Sequence, residues 1–463
     1  MFDSKVYARR REILRKTMET LVPGPSKGLV LICGNAEAPA QYRDNCYKFR
    51  QDSSWLYYFG IDEPKWAATM DLDSGQTVMY ADDYDIDDII WTGPMASVAE
   101  LSARVGVSES APYEAFKDAV KAAIAQGRRI HTLPPSRWYN TLLLQSLGIS
   151  EASKELIHAV ISMRLVKEPE EIALLDEACD LGVQMHTIAR DAIATGVVEQ
   201  DIVGKMEGFA LSKGWGVSFA TILTQHGEIF HCHSHDATIE PGRLLVIDAG
   251  VESNDHYASD FTRTYPTGGR FTAKQRDIYQ IVYECNELAY SMIRPGVAYR
   301  DVHLAVAGHM LEGLAGLGLV HGNVQDMVRE GVAGLFMPHG LGHNMGLDVH
   351  DMEDLGEDLV GYDEDQKRAS QLGLGSLRMA RKLRAGNVIT DEPGIYFIPD
   401  LIRKWHAEGK GAQWINFQKL EDYYNFGGIR LEDDVLVTPE GCRRLGSSRL
   451  PIAPKDVEKA MEK

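Results

Sequence analysis

The sequence contains no long apolar run and few cysteines. No run approaches the roughly 18 residues of a membrane-spanning helix, so we expect no membrane segment in these 463 residues. The six cysteines are scattered without a CxxC pair, a pattern that predicts reduced thiols and a cytoplasmic protein. The first residues, MFDSKVYARRREILRK, carry no apolar core, so a secretory signal is not expected either.

Basic residues are scarce relative to acidic ones. The chain has 48 lysines and arginines against 67 aspartates and glutamates, which gives a net charge of −19. Nucleic acids and anionic membranes are bound through basic surface, so we expect neither as a partner. Solubility is the simplest explanation of this charge, and carboxylates gathered around cations would add to it locally.

The chain is too long for a single ordinary core. Its 463 residues, 44% hydrophobic and 25% charged, are typical of a globular protein. Length alone predicts roughly two to four domains of about 100–200 residues each. The pattern changes near residues 160–168, and we therefore predict an amino-terminal domain over 1–165 and a second domain over 166–463.

The first domain alternates helix and strand patterns. Residues 5–21 predict an amphipathic helix whose apolar stripe holds Val6, Ile13, Leu14, Met18 and Leu21. The later elements are a strand at 28–33, a hairpin at 67–81, and helices near 97–105 and 113–125. This alternation favours an α/β domain.

The second domain begins with a long helix. Pro169 suits a first helical position, and Glu170 and Glu171 in the first turn favour the helix dipole. Three further helices, at 197–213, 272–293 and 299–314, are interleaved with strands joined by hairpin-like connections. We therefore predict an α+β domain with an antiparallel sheet, and interpret residues 400–424 as an insertion between two strands.

Four segments place ionisable residues in or just after apolar, strand-like runs. They are LLVIDAGVESNDHYASDFTR (244–263) with Asp248 and Asp260, FMPHGLGHNMGLDVHD (336–351) with His339, His343 and His350, VITDEPGIYF (388–397) with Glu392, and GGIRLEDDVLV (427–437), where Glu432 is predicted in a strand. Alone, each residue would be explained as a cap, a turn or a surface residue. A buried carboxylate is costly unless it is paired, hydrogen-bonded or bound to metal. Together, four carboxylates and a histidine predict a site for two divalent cations, with Mn²⁺ favoured and Zn²⁺, Co²⁺ or Fe²⁺ tolerated.

In this order, these motifs resemble those of the pita-bread metallopeptidases, the family of methionine aminopeptidase, aminopeptidase P and prolidase. The resemblance implies five metal ligands, namely Asp248, Asp260, His343, Glu392 and Glu432. It also implies that His339 and His350 bond the scissile carbonyl or oxyanion, that His231 faces the substrate, and that Arg430 holds the ligand carboxylates. His233 and His235 are interpreted as surface residues on the same strand face as His231. The family further implies a homodimer.

The stretch YKFRQDSSWLYYFGIDEP (47–64) resembles the amino-terminal domain shared by aminopeptidase P and prolidase. Both families cleave after residue one when residue two is proline, a bond that lacks an amide N–H. Two stretches favour prolidase, which acts on dipeptides: 375–387, where Arg378 matches the arginine that grips the free carboxylate, and 397–433, the longer connection. The alternatives are that Arg378 is an ordinary surface cation and that the chain is an aminopeptidase P acting on longer peptides.

The resemblance also implies a mechanism. Two cations would hold and activate the attacking water, and Glu392 would pass its proton to the prolyl nitrogen. One rival hypothesis is a non-catalytic binding module, which would be expected to have lost ligands, whereas no ligand position is missing here. Another is hydrolysis of a different bond, such as a phosphotriester, because metal-assisted hydrolysis is not restricted to peptides.

Overall fold

The computed structural model describes residues 2–462. The chain divides into two compact units, Met1–Arg164 and Leu165–Lys463. Among the helices of the described residues, none is long and apolar enough to cross a membrane.

The first unit is a mixed α/β domain. Its elements in chain order are α1 (Ser4–Leu21), β1 (Leu29–Cys33), α2 (Ser53–Phe59), β2 (Ala67–Asp71), β3 (Thr77–Tyr80), α3 (Ile86–Thr92), α4 (Val98–Arg104), β4 (Glu109–Ala111), α5 (Ala115–Ala125), β5 (Ile130–His131), α6 (Trp138–Ser146) and α7 (Lys154–Arg164). One sheet has the order β4-β3-β2-β1-β5, with β1–β5 and β3–β4 parallel and the other pairs antiparallel. The predicted strand, hairpin and helices are confirmed.

The stripe predicted on α1 is correct only in part. Val6, Leu14 and Met18 are buried, but Ile13 and Leu21 are exposed. The buried face instead includes two arginines, Arg10 and Arg11, whose guanidinium groups donate to the carbonyls of Tyr57 and Tyr58 in α2. These carbonyls lie at a helix end, where they lack intrahelical partners. The buried arginines supply hydrogen-bond donors for them, which an apolar side chain cannot do.

The second unit is an α+β domain in which every strand pairing of the described residues is antiparallel. Its elements are α8 (Pro169–Ala192), α9 (Glu199–Lys213), β6 (Gly216–Val217), β7 (Ile222–Thr224), β8 (Leu244–Ala249), β9 (Val251–Glu252), β10 (Phe261–Pro266), α10 (Ala273–Met292), α11 (Tyr299–Gly316), α12 (Val324–Arg329), α13 (Glu357–Gly361), β11 (Val388–Asp391), β12 (Gly394–Tyr396), α14 (Pro399–Glu408), α15 (Phe417–Leu420), β13 (Gly428–Arg430), β14 (Asp433–Val437), β15 (Cys442–Arg444) and α16 (Pro454–Ala460). Short 3₁₀ turns occur at Val332–Leu335, Glu353–Leu355, Leu374–Ser376 and Glu421–Tyr423. The predicted fold class is therefore confirmed for this part of the chain.

The predicted start of α8 is confirmed at Pro169, with a capping box between Glu168 and Glu171. The other three predicted helices appear as α9, α10 and α11, with ends within two residues of the predicted ones. Apolar faces of these helices and of β8 and β10 share one large core. All residues of β8 and β10 are buried, which explains the near-continuous apolar sequence of β8.

Two isolated bridges join the four motif segments in two pairs, and the pairing of β11 with β14 connects these pairs. Thr262 of β10 pairs with Glu432, and Asn344 pairs with Ile389 of β11. Glu432 was predicted inside a strand, but the structure places it between β13 and β14, in the break where the chain leaves one partner strand for another. The insertion at 400–424 is confirmed: it forms α14 and α15 between the paired strands β12 and β13.

Candidate functional site

A cavity of about 940 Å³ opens in the second unit. Its wall contains all of the residues that the sequence predicted for the site, namely His231, Asp248, Asp260, His339, His343, His350, Arg378, Glu392, Arg430 and Glu432. Their segments are separated by up to 201 residues in the chain (432 − 231 = 201), so only the tertiary fold gathers them. An apolar part of the wall adds Phe219, Ile222, Ile229 and Phe230.

The β8–β10 hairpin positions the first two carboxylates. Asp248 lies in β8 opposite Thr262, and Asp260 immediately precedes β10. Side chains two residues apart share a strand face, so Asp260 and Thr262 point the same way. The hairpin is tight at Gly250, where an added Cβ would lie 1.7 Å from the Ser259 carbonyl oxygen. Only glycine allows this approach, which explains the glycine of the IDAG motif.

Glu432 is fixed against the same hairpin by two hydrogen bonds. Its backbone N–H donates to the Thr262 carbonyl at 3.0 Å, and the Thr262 hydroxyl donates to Glu432 Oε2 at 2.6 Å. Arg430 adds a cation: its Nε donates to Thr262 Oγ1 at 3.2 Å, and its Nη2 donates to Asp248 Oδ2. The guanidinium therefore orients Asp248 and offsets part of the negative charge of the cluster.

His343 contributes a nitrogen with a defined tautomer. Its Nδ1 lies 3.0 Å from the Asn344 carbonyl oxygen, which can only accept, so Nδ1 carries the proton. The lone pair is therefore on Nε2, which lies 3.4 Å from Asp260 Oδ2 and 3.9 Å from Glu392 Oε1. A carbonyl on one ring nitrogen with the other nitrogen directed to carboxylates is the usual arrangement of a metal-binding histidine.

The electrostatics of the cluster require positive charge. Asp260, His343 and Glu432 offer ligand atoms that all lie within 4.8 Å of one another. Burial, and then repulsion from neighbouring carboxylates, raises the pKa of both Asp260 and Glu432 well above the ordinary value. Oδ1 of Asp248 and Oδ1 of Asp260 are buried without a hydrogen-bond partner in the described chain. Divalent cations bound here would satisfy these oxygens and relieve the repulsion, so the residues fit the predicted metals.

Two of the other histidines line the cavity with their rings already held. His339 Nδ1 donates to the Gly340 carbonyl at 2.7 Å, and its Nε2 lies 2.8 Å from the Tyr396 hydroxyl. Burial lowers the pKa of His339 to about 3, so this ring is neutral near pH 7. His350 stacks on His343 with 3.8 Å between ring centroids. The oxyanion roles implied for His339 and His350 stay predictions.

The segment around His231 was wrongly predicted as a strand. It forms a turn at residues 227–231 followed by irregular chain, although His231 and His233 do stack and both line the cavity. The carbonyls of His235 and Ala237 accept from the first N–H groups of α9, Gln200 and Glu199. Helix-terminal N–H groups need such acceptors, and this pairing replaces the strand ladder.

Sequence reasoning missed three polar residues of the cavity region. Thr262 lies two residues after Asp260, and Tyr396, whose hydroxyl accepts from Arg430 Nη1 at 2.9 Å, lies four residues after Glu392. Thr262 could have been found from strand alternation, which puts i and i+2 on one face, but Glu392 and Pro393 lie between β11 and β12, so alternation does not lead to Tyr396. Glu353, which contacts His350 and Arg378, lies in a short 3₁₀ turn where no such period applies.

Comparison with known proteins agrees with this geometry. The model of metallopeptidase family M24 matches residues 173–439, more than half of the chain. The chain belongs to metallopeptidase family M24. The amino-terminal domain of aminopeptidase P matches residues 7–131. The predicted pita-bread architecture, with an α/β domain before it, and the prediction of a metallopeptidase are therefore confirmed.

Individual M24 relatives match over nearly their whole length. Human Xaa-Pro dipeptidase is 28% identical over 474 residues, covering 98% of this chain and 93% of that protein. A probable Xaa-Pro aminopeptidase of Aspergillus fumigatus is 29% identical over 470 residues, covering 99% and 96%. Aminopeptidase PepP of Pseudomonas aeruginosa superposes with a TM-score of 0.81 at 26% identity, covering 100% and 98%. Zinc-substituted Escherichia coli aminopeptidase P in complex with product superposes at 0.80 and 27%, with the same coverage.

Proposed function

We propose that this M24 peptidase hydrolyses Xaa-Pro dipeptides, releasing residue one, with residues 166–463 as the catalytic domain and 1–165 as an accessory α/β domain. The observation that carries the proposal is Arg378, whose side chain lines the same cavity as the carboxylate cluster and is 39% exposed. Within residues 2–462, the acceptors of this guanidinium, Glu353 and Glu357, contact Nη1 alone. Its Nε and Nη2 thus remain for the two oxygens of a substrate carboxylate.

The five residues Asp248, Asp260, His343, Glu392 and Glu432 would hold two divalent cations, with Mn²⁺ as the proposed native metal and Zn²⁺, Co²⁺ or Fe²⁺ as alternatives. When bound, such cations polarise the scissile carbonyl and lower the pKa of water. Arg430 keeps Asp248 in place through its Nη2 bond. This chemistry does not depend on the amide N–H that an Xaa-Pro bond lacks.

The chain's own residues move the proton and support the developing charge. Burial raises the pKa of the Glu392 carboxyl, which suits a group that takes a proton from water and gives it to the prolyl nitrogen. His350 donates Nδ1–H to Glu353 Oε1 at 3.0 Å, which leaves Nε2 to face the carbonyl oxygen. The ring donates from both nitrogens only after it takes up a proton; burial opposes this and lowers the pKa of His350 to about 4, whereas the Glu353 carboxylate favours the protonated ring. His231 would face the substrate from the same cavity wall.

A comparison of Ala-Pro with Ala-Pro-Ala, with metal content measured alongside, tests the substrate class. We expect Ala-Pro to be the better substrate, and Arg378→Gln to lower kcat/KM for Ala-Pro by about tenfold or more while changing Ala-Pro-Ala little. The matched control is Arg381→Gln, a nearby arginine that donates to the Tyr362 carbonyl and does not line the cavity. Cleavage of the longer peptide alone would instead favour an aminopeptidase P, and a phosphotriester in the panel detects the other reaction class.

Glu392→Gln tests the proton transfer. The amide keeps the size of the side chain but cannot take a proton, so we expect kcat to fall by about 10²-fold or more. The variant is compared with wild type at equal metal occupancy, measured by elemental analysis, because Glu392 is also a proposed ligand. Near-normal turnover by a fully loaded Glu392→Gln enzyme rules out the transfer.

A further inference from the structure

Glu353 joins two residues with different proposed roles. Its Oε1 lies 3.0 Å from His350 Nδ1, and its Oε2 accepts from Arg378 Nη1. The 3₁₀ turn Glu353–Leu355 makes this possible, because Met352 adopts a left-handed φ of 66° that folds the chain back toward His350. A non-glycine residue in that region is strained, so the rest of the turn must compensate for it.

His350 is restrained on two sides by these contacts. One ring face stacks on His343, and the Nδ1 edge is held by Glu353. The carboxylate is therefore the only hydrogen-bonding group among the described residues that fixes the rotation of this ring. A ring without that bond would rotate more freely in a cavity of this size.

Arg378 is restrained by the same carboxylate. Glu353 and Glu357 both accept from its Nη1, the latter at 3.2 Å, and Glu357 does not contact His350. A side chain with a long flexible stem loses much rotational entropy when it binds a ligand, unless it is already held in place. Glu353 thus pre-arranges the guanidinium beside the catalytic histidine, with the Nε and Nη2 edge left for an incoming carboxylate.

We propose that Glu353 is the positioning residue that sets the preference for a substrate with a free carboxylate, by holding Arg378 and His350 as one rigid unit. This inference rests on the proposed function, since it concerns the carboxylate end of the same site. The opposite hypothesis is that the negative charge of Glu353 repels the substrate carboxylate and weakens binding. The two hypotheses predict changes of opposite sign when Glu353 is removed.

The experiment measures the kcat/KM for Ala-Pro divided by that for Ala-Pro amide, which lacks the free carboxylate. We expect Glu353→Ala to lower this ratio by about tenfold through a higher KM for Ala-Pro, and to lower kcat on both substrates through His350. Combined with Arg378→Gln, it should lower the ratio no further than either single change does, because both act on one contact. Glu155→Ala is the matched control: this glutamate accepts from both Nη atoms of Arg129 and does not line the cavity, so its removal should leave the ratio and kcat unchanged.

Glu353→Gln keeps the shape of the side chain and decides the question if the alanine variant does not fold. It should lower the ratio less than the alanine variant does, because the amide oxygen can still accept a hydrogen bond from one of the two donors, His350 or Arg378. An unchanged or higher ratio in a folded variant overturns the inference while leaving the proposed function intact. A wild-type enzyme with no preference for the free carboxylate overturns both.

Discussion

Glu432→Gln is expected to lower the kcat/KM for Ala-Pro by about 10³-fold or more. Metal-assisted hydrolysis supplies several kcal/mol of transition-state stabilisation, and each 1.36 kcal/mol changes the rate about tenfold. Glu432 is 2% exposed and belongs to the group of ligand atoms within 4.8 Å of one another. The amide removes its charge but keeps its volume and its acceptor oxygen for the Thr262 hydroxyl. The expected loss of activity therefore comes from weaker cation binding and not from a packing defect in the protein interior.

The same substitution should stabilise the protein once metal has been removed by a chelator. Burial and repulsion raise the folded-state pKa of Glu432 above its unfolded value. Such a group contributes stability that is complete below the unfolded pKa and is lost as the pH rises through the folded pKa. Metal-free Glu432→Gln escapes this loss, so its Tm advantage over metal-free wild type should be larger at pH 8 than at pH 5. With metal present the order reverses, because the cations bind and stabilise only an intact site.

The measurements are thermal unfolding with and without chelator, metal content and peptidase rate. Glu199→Gln is the matched control, a buried glutamate outside the cavity whose Oε1 accepts from the backbone N–H of Gln225 at 3.0 Å. It should leave both the rate and the metal content unchanged and should not raise the Tm. A Glu432→Gln protein that binds metal and turns over normally would remove the basis of the proposed cation site.

The site could be predicted from the sequence because its ionisable residues lie at or near the ends of strands. Asp248, Glu392 and Glu432 each follow or interrupt an apolar run. A carboxylate buried with such a run is energetically costly unless a cation or a hydrogen-bond donor binds it. The antiparallel bridges Thr262–Glu432 and Asn344–Ile389 then explain why such distant runs converge. That register depends on contacts between segments far apart in the chain, which local periodicity does not encode.

Residues that pair across loops could not be predicted in the same way. The segment around His231 is apolar enough for a strand, but its carbonyls are taken by the start of α9. Arg10 has the character of a surface residue until the carbonyl of Tyr57 gives it a buried acceptor. Glu353 meets His350 because of the left-handed φ at Met352, for which a non-glycine residue gives no sequence signal. Each error arises where tertiary hydrogen bonding overrides the local pattern.

The loop that carries His343 and His350 is tied down by a buried ion pair. Lys167 Nζ lies 3.1 Å from Asp351 Oδ2, and both side chains are 1% exposed. The backbone N–H of Asp351 donates to the Asn344 carbonyl at 3.0 Å, and this hydrogen bond links the ion pair to the residue next to His343. A buried pair is weak evidence of net stabilisation, but removing one partner strands the other charge in a medium of low polarity.

Lys167→Met should therefore lower the free energy of unfolding by about 3–5 kcal/mol, because the Asp351 carboxylate loses its cation while the apolar volume is kept. Lys167→Met with Asp351→Asn should recover most of this loss, since the buried carboxylate is replaced by a neutral amide whose oxygen still accepts from the Asp348 N–H. Lys382→Met is the matched control: its pair with Asp365 is exposed, at 55% and 62%, so its loss should change the free energy of unfolding little. Urea unfolding of the metal-loaded proteins measures all three. The single and double variants unfolding at the same urea concentration would contradict this explanation. The loss of stability would then come from the packing of the Lys167 stem against its neighbours and not from the charge of Asp351.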